Sequence, residues 1–98
     1  VLCSLITPLK HHRQVAKSIL GMYYNLCYIK APLDTCIKRD VKGMYEKALK
    51  KELDNFTGVS SPYDVPDATE YNLVCFTDKE LISDSASKIV SYINSIIA

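Results

Sequence analysis

Short apolar, β-prone runs alternate with helical segments along this chain, and that alternation limits the fold more than any other feature. The runs are Val1–Ile6, Tyr23–Ile29 and Tyr71–Phe76. Strands joined through helical crossovers pair in parallel, so the pattern predicts an α/β fold: a parallel sheet with flanking helices. Such a sheet is covered on both faces and usually has more than three strands. In 98 residues we therefore expect a single domain, and an incomplete one that corresponds to half of a doubly wound domain.

Local signals place the ends of the helices. Thr7-Pro8 supplies a capping hydroxyl and a proline at the first helical position, and Gly21 ends that helix. Pro32 opens a second helix. Thr77 and Glu80 have capping-box spacing and predict the start of a final helix. The apolar stripe of that helix consists of Ile82, Ala86, Ile89, Val90, Ile93 and Ile97.

A charged, interrupted helical region and a long loop lie between the second and third runs. Gly43 interrupts the helical pattern just after Arg39–Lys42, and a further helix follows. Leu53 to Glu70 is rich in Gly, Pro, Ser and Asp, which predicts an extended loop. Loops of this length in compact domains are more often functional than idle, so this region is a candidate for ligand contacts.

Charge and cysteine usage limit the partners and the compartment. The net charge of +1 produces no global field that would attract nucleic acid or an anionic membrane, so we predict neither partner. No apolar run approaches the ~20 residues of a membrane span. The cysteines form no C-x-x-C pair and are predicted to be buried, reduced thiols, which favours a cytoplasmic protein. They are Cys3, Cys27, Cys36 and Cys75.

Two short motifs are interpreted as incidental. His11 and His12 are neighbours on a helix, so their side chains point about 100° apart and cannot easily share one ion. A zinc site also needs further ligands, and no Cys or His spacing supplies them, so no metal site is predicted. Asn55-Phe56-Thr57 matches the glycosylation sequon, which a cytoplasmic chain does not use.

Ligands of open α/β sheets bind beyond the carboxyl ends of the strands. Ile6-Thr7-Pro8, Lys30–Asp34 and the segment after Phe76 are expected there. The hydroxyl of Thr7 either caps its helix or takes part in polar chemistry at the ligand site, and the residues alone leave both open. Arg39–Gly43 places two cations and a carboxylate at a helix interruption, which is either a solvated turn or an anion-binding lid.

The stretches "TPLKHHR" and "APLDTCIKRDVKGMYEKALKKELDNFTGVSSPYDVP" resemble the adenylylsulfate kinase (APS kinase) family. The most specific elements are R-D-x-K-G-[LM]-Y, then F-T-G, then P-Y-x-x-P, and the match runs from Leu5 to Pro66. The resemblance implies a P-loop nucleotide-kinase fold of three α/β/α layers. It also implies transfer of the γ-phosphoryl group of ATP, carried with Mg²⁺, to the 3′-hydroxyl of adenylylsulfate. The product is PAPS, the activated sulfate donor of sulfate assimilation.

The resemblance also implies roles for particular residues. Ile6 and Thr7 fall where the family's Ile-Ser lines the adenylylsulfate pocket, and that Ser is sometimes described as a phosphorylated intermediate. Lys42 falls on the substrate-binding lysine, and Asn55-Phe56 on the pair that packs against the substrate adenine. Arg39 falls on the lid arginine near ATP. Residues 39–58 therefore correspond to the family's lid, which seals two nucleotides from water.

The chain departs from the family pattern in ways that bear on activity. The P-loop sequence G-x-x-x-x-G-K-[ST] does not occur in it, so the resemblance covers the C-terminal part of the family's domain and predicts no turnover by this chain alone. Thr7 keeps a hydroxyl but adds a methyl group, and we assign it no covalent role. Ile37 replaces the usual Glu, and Lys50-Lys51-Glu52 replaces Arg-x-Gly.

Three interpretations follow. The first is an adenylylsulfate kinase. The second is a non-catalytic regulatory domain that binds APS or PAPS, as in some fungal ATP sulfurylases. The third is a related kinase for another nucleotide. The resemblance leaves open whether the protein forms a homodimer or is fused to an ATP sulfurylase.

Overall fold

The computed structural model describes residues 1–40, 42–51, 57 and 62–97. The chain divides into two compact units. One consists of Val1–Tyr24 and Asp40–Pro66, and the other of Asn25–Arg39 and Asp67–Ala98. Each unit consists of two segments that are distant in sequence, so each depends on contacts between residues far apart in the chain. We describe them separately.

The second unit contains a parallel pair of strands. Strand β1 (Cys27–Lys30) pairs in parallel with strand β2 (Leu73–Phe76), and Cys27 lies opposite Leu73. The predicted α/β class with a parallel sheet is confirmed. The first of these strands begins later than predicted, because Gly21–Tyr23 forms a turn of 3-10 helix instead.

Helix α4 (Ile82–Ile97) covers strand β2 of the second unit. The ammonium group of Lys88 donates to the backbone oxygen of Val74 at 3.1 Å. The hydroxyl of Tyr92 donates to Asn25 Oδ1 at 2.6 Å. The helix predicted from the apolar stripe is confirmed. Its polar side chains bind it to β2 and to Asn25, two residues before β1.

The start of α4 differs from the prediction. Thr77 does not cap it: residues 77–79 form a turn, and the Thr77 hydroxyl donates to the backbone oxygen of Lys30 at 3.0 Å. The cap comes from within the helix, because the backbone N–H of Leu81 donates to Asp84 Oδ2 at 3.3 Å. A carboxylate in the first turn serves this purpose as well as a preceding hydroxyl, so the capping-box prediction is wrong.

Helix α2 (Leu33–Arg39) begins directly after Pro32, as predicted. The backbone oxygen of Pro32 accepts from the N–H groups of Thr35 and Cys36, at 3.0 and 3.1 Å. Proline suits this position because the backbone N–H it lacks would have no partner inside the helix.

The first unit contains helices α1 (Lys10–Leu20) and α3 (Met44–Leu49). Gly21 ends α1 at φ 57°, and Gly43 precedes α3 at φ 66°, so both predicted glycine boundaries are confirmed. No atom of the described residues lies within 4 Å of where a Cβ on Gly43 would stand.

Val1–Ile6 is not a buried strand, and that prediction is wrong. These residues form no regular secondary structure and are exposed; Leu5 is 73% and Ile6 67% exposed. A strand forms only where a neighbour accepts and donates its backbone hydrogen bonds. No segment in the described part of the chain pairs with these residues.

Few apolar side chains are buried in the described residues. Ala48, Pro66 and Cys75 are the buried residues with apolar side chains, while Ile19 on α1 and Ile82 on α4 remain 76% and 91% exposed. None of the helices that the structure describes is both long and apolar enough to cross a membrane.

All four cysteines carry free thiols, and they differ in burial. Cys75 is fully buried, Cys27 and Cys36 are half-buried, and Cys3 is exposed. The prediction of buried thiols is therefore wrong for Cys3, because the run around it is not a strand. Burial, with a further contribution from the neighbouring Cys75 thiol, raises the pKa of Cys27 to about 11.

The raised pKa predicts slow alkylation of Cys27. Near pH 8 the thiolate fraction falls about a hundredfold relative to an ordinary thiol, while the more basic thiolate is roughly tenfold more nucleophilic. We therefore expect Cys27 to react with iodoacetamide about tenfold more slowly in the folded than in the urea-unfolded protein. Peptide mass spectrometry after timed quenching measures both rates. Equal rates would contradict the burial of this thiol.

Glu80 and Lys88 form an ion pair at 2.6 Å beside β2. The hydrogen bond from Lys88, with a second from the Ser85 hydroxyl, lowers the pKa of Glu80 below its ordinary value of 4.5. A carboxyl whose pKa is lower in the folded state stabilises the fold above the unfolded-state pKa, and loses that contribution as the pH falls through the folded-state pKa.

We therefore expect Glu80→Gln to lower the free energy of unfolding at pH 7, and the difference from the unmodified protein to shrink as the pH falls below about 4.5. Urea titrations at several pH values measure it. Glu46→Gln is the matched control, because the Glu46–Lys50 pair is exposed and such pairs contribute little. A difference for Glu80→Gln that does not change between pH 7 and pH 3 would contradict the assignment.

Candidate functional site

The segment that precedes α1 is fastened to Asp64, far along the chain. The backbone N–H of Asp64 donates to the backbone oxygen of Pro8 at 2.7 Å. Its carboxylate in turn accepts from the N–H of Lys10, the first residue of α1, at 2.9 Å. Asp64 therefore caps the helix. The predicted cap at Thr7 and the predicted first position at Pro8 are both wrong, since α1 begins at Lys10 and the Leu9 position before it has no side-chain cap.

Arg13 joins the same two segments from inside the unit. Its side chain is only 3% exposed. Nη1 donates to the backbone oxygen of Thr7 at 2.8 Å, and Nη2 donates to the backbone oxygen of Asp64 at 2.8 Å. A buried charge is tolerated when hydrogen bonds satisfy it, and a planar guanidinium can serve two acceptors at fixed positions. We call Thr7, Arg13 and Asp64 the Arg13 clamp.

Thr7 has an uncommon backbone conformation. Its φ is 39°, in the left-handed region that β-branched residues rarely enter. Such a conformation costs about 1–3 kcal/mol and persists only when the surroundings impose it. The backbone oxygen of Thr7 is one of the two acceptors in the Arg13 clamp. Ile6, the other residue predicted for the substrate pocket, stands immediately before it and is 67% exposed.

The charged residues before α3, Asp40 and Lys42, have different surroundings. The carboxylate of Asp40 accepts from the backbone N–H groups of Tyr45 and Glu46, at 2.9 and 3.1 Å, and so caps α3. Lys42 lies in the turn before Gly43 and is exposed. The local geometry therefore occupies the carboxylate with the helix and leaves the lysine in solvent, where a cation can meet an anionic ligand.

Arg39 belongs to the second unit and lies at the carboxyl edge of its sheet. Nη2 donates to the backbone oxygen of Thr77 at 2.7 Å, and Nη1 donates to the Thr77 hydroxyl at 3.2 Å. Thr77 directly follows β2, and its hydroxyl contacts the last residue of β1, Lys30. Thr77 therefore ties the end of α2 to the edge where ligands of parallel sheets bind.

Asn55 and Phe56, the predicted adenine-packing pair, lie outside the described residues. His11 and His12 are exposed on α1, with ring centroids 5.7 Å apart and tilted by 51°. Within residues 1–40, 42–51, 57 and 62–97, no group of three or more His, Cys, Asp or Glu side chains is arranged to hold a metal ion.

Comparison with known proteins identifies the family. The family described as adenylylsulphate kinase matches residues 1–74. This chain belongs to the adenylylsulfate kinase family. The adenylyl-sulfate kinase of Halothermothrix orenii is 47% identical over 92 residues, which cover 94% of this chain and 48% of that protein. The probable adenylyl-sulfate kinase of Aeropyrum pernix is 38% identical over 100 residues, covering 99% of this chain and 54% of that protein.

This adenylylsulfate kinase family chain thus spans about half the length of these curated relatives. It also matches part of a larger protein. The bifunctional enzyme NodQ of Rhizobium tropici is 42% identical over 74 residues, which are 74% of this chain and 12% of that enzyme. The predicted site residues, from Ile6 to Phe56, all fall within the matched residues 1–74.

Sequence reasoning missed three residues that hold these adenylylsulfate kinase segments in place: Arg13, Asp64 and Thr77. Arg13 stands in a run of basic residues, where a solvated cation is the ordinary expectation. Asp64 is 51 residues from Arg13, and Thr77 is 38 from Arg39. No local pattern predicts pairs at those separations. The positive φ of Thr7 likewise carries no local signal, because threonine disfavours it.

Proposed function

We propose that this chain is part of an adenylylsulfate kinase that transfers the γ-phosphoryl group of ATP to the 3′-hydroxyl of adenylylsulfate, giving PAPS and ADP. The observation that carries the proposal is the family match over residues 1–74, which includes the charged lid motif from Arg39 to Phe56. A cytoplasmic location accompanies the proposal, and the four free thiols support it.

In the transfer, a bond forms between the 3′-oxygen of adenylylsulfate and the γ-phosphorus, and the bond from that phosphorus to the β,γ-bridging oxygen breaks. The hydroxyl proton is released and ADP leaves. Such reactions depend on positioning and on neutralisation of charge more than on covalent chemistry by the protein. Mg²⁺ enters with ATP as a co-substrate, and we assign it no ligand in this chain.

The roles of the residues follow from that requirement. Lys42, an exposed cation in the turn before α3, neutralises an anionic group of adenylylsulfate. Phe56 and Asn55 pack on its adenine. Ile6 and Thr7 border the same nucleotide. Arg39, at the carboxyl edge of the sheet, contributes a guanidinium towards ATP.

A chimera tests the proposal. This chain replaces the matched segment of the Halothermothrix orenii relative, and the purified chimera receives ATP and adenylylsulfate. We expect PAPS to appear by chromatography in step with ADP release, with the parent enzyme as positive control. A chimera that melts like the parent and binds adenylylsulfate without forming PAPS would support the regulatory-domain alternative. One that melts like the parent and binds no adenylylsulfate would overturn the proposed substrate.

A further inference from the structure

We infer that Arg13 is a positioning residue for nucleotide binding: it holds the backbone of Thr7 in its left-handed conformation and so sets the affinity of the site for adenylylsulfate without contacting it. The inference rests on the proposed function in one respect, the placement of Thr7 beside that nucleotide. Its structural part, the control of Thr7 and Asp64 by Arg13, stands on the geometry alone.

The guanidinium of Arg13 binds backbone oxygens of its own chain. Arg13 is buried to 3% exposure, and its two terminal nitrogens donate to backbone oxygens of Thr7 and Asp64, both at 2.8 Å. Side chains that contact nucleotide phosphates keep their donors towards the ligand. Arg13 and Arg39 both direct their terminal nitrogens at the chain, but the side chain of Arg13 is buried whereas Arg39 is exposed, which favours an indirect role for Arg13.

The two segments that Arg13 contacts, at Thr7 and at Asp64, are also linked to each other. Asp64 donates through its N–H to Pro8 and accepts through its carboxylate from Lys10. Hydrogen bonds therefore hold Thr7, Pro8 and Lys10 in place, and both the bond from Arg13 to Thr7 and the bond from Lys10 to the Asp64 carboxylate involve a charged group. Such hydrogen bonds are stronger and more geometrically specific than neutral ones.

The backbone of Thr7, which accepts the Arg13 hydrogen bond, has an unfavourable conformation. Thr7 is held at φ 39°, where a β-branched residue does not stay without external constraint. Releasing the Arg13 contact allows the peptide to return to an extended conformation, which moves the Thr7 hydroxyl. A displacement of about 1 Å at a binding residue can reduce turnover about a hundredfold.

The experiment uses the chimera described above, with Arg13→Ala, Arg13→Lys and, as control, Lys17→Ala. Lys17 is an exposed cation on the same helix. Steady-state kinetics give separate KM values for adenylylsulfate and ATP, and hydrogen exchange reports the N–H groups of Lys10 and Asp64. Thermal unfolding accompanies each variant, so that loss of fold is recognised directly.

We expect Arg13→Ala to raise the KM for adenylylsulfate at least about tenfold, to leave the KM for ATP within about twofold, and to speed exchange at Lys10 and Asp64. Arg13→Lys should restore part of each effect, because one ammonium group cannot match both positions of a planar fork. Lys17→Ala should resemble the unmodified chimera in every measurement.

Two results would overturn the inference. Equal changes in both KM values, or a lower melting temperature with both KM values unchanged, would show that Arg13 only supports the fold. Unchanged exchange at Lys10 and Asp64 in a folded Arg13→Ala chimera would remove its structural part. If the unmodified chimera makes no PAPS, the proposed function fails independently, and the exchange measurement still decides whether Arg13 controls this segment.

Discussion

The isolated 98-residue chain is expected to form no detectable PAPS from ATP and adenylylsulfate and to unfold at a lower temperature than a full-length relative. It contains no G-x-x-x-x-G-K-[ST] sequence, so no glycine-rich cradle of N–H groups with its lysine is available for the phosphates of ATP. Among the described residues only Ala48, Pro66 and Cys75 are buried residues with apolar side chains. A domain with so little buried apolar area has little free energy to offset its conformational entropy.

Circular dichroism during heating and a coupled assay for ADP release measure the two expectations. The control is the same chain refolded together with the unmatched part of the Halothermothrix orenii relative, the part where the family carries its P-loop. PAPS formation by the isolated chain without any added polypeptide would contradict the expectation of no turnover. A melting temperature of the isolated chain as high as that of this control would contradict the expectation of low stability.

Replacing Lys42 should weaken adenylylsulfate binding strongly. Lys42 is exposed in the turn before α3, and its neighbour Asp40 is engaged in capping that helix. Losing a hydrogen bond to a charged group costs about 1.5–3 kcal/mol, which corresponds to roughly a tenfold to hundredfold rise in KM. We therefore expect that rise for Lys42→Ala in the chimera, measured against adenylylsulfate at saturating ATP.

Lys47→Ala is the matched control, because Lys47 is an exposed lysine on α3 itself. Phe56→Ala provides an independent check, since loss of a stacking aromatic ring costs about 1–3 kcal/mol. Melting temperatures of all three variants should match that of the unmodified chimera. Unaltered kinetics in both Lys42→Ala and Phe56→Ala would mean that residues 39–58 do not form a lid over this nucleotide.

The parts of the fold that were predictable from sequence are those set by local chemistry. Gly21, Pro32 and Gly43 mark helix boundaries because each changes the backbone conformations or donors available at its own position. The apolar stripe of α4 predicted that helix because its spacing is helical throughout. The parallel pairing of β1 and β2 followed from the helical crossover between strands.

The parts that were missed depend on partners distant in the chain. The cap of α1 comes from Asp64, and no preference of Thr7 or Pro8 indicates that. Val1–Ile6 has the composition of a buried strand, but a strand also requires a neighbour, and composition does not supply one. In the candidate site, the family motif predicted Lys42 and Arg39, whereas Arg13 and Thr77 became evident only from the folded geometry.

Gly43 occupies a position where the backbone conformation, and not the available space, disfavours other residues. Its φ of 66° disfavours L side chains, although among the described residues no atom beyond Gly43 and its two chain neighbours lies within 4 Å of a Cβ there. An L-alanine would cost roughly 1–2 kcal/mol at such an angle. A D-alanine, introduced by peptide synthesis, would adopt it readily, because its mirror-image Cα prefers positive φ. The constraint at Gly43 is therefore on the chirality of the residue and not on the volume of its side chain.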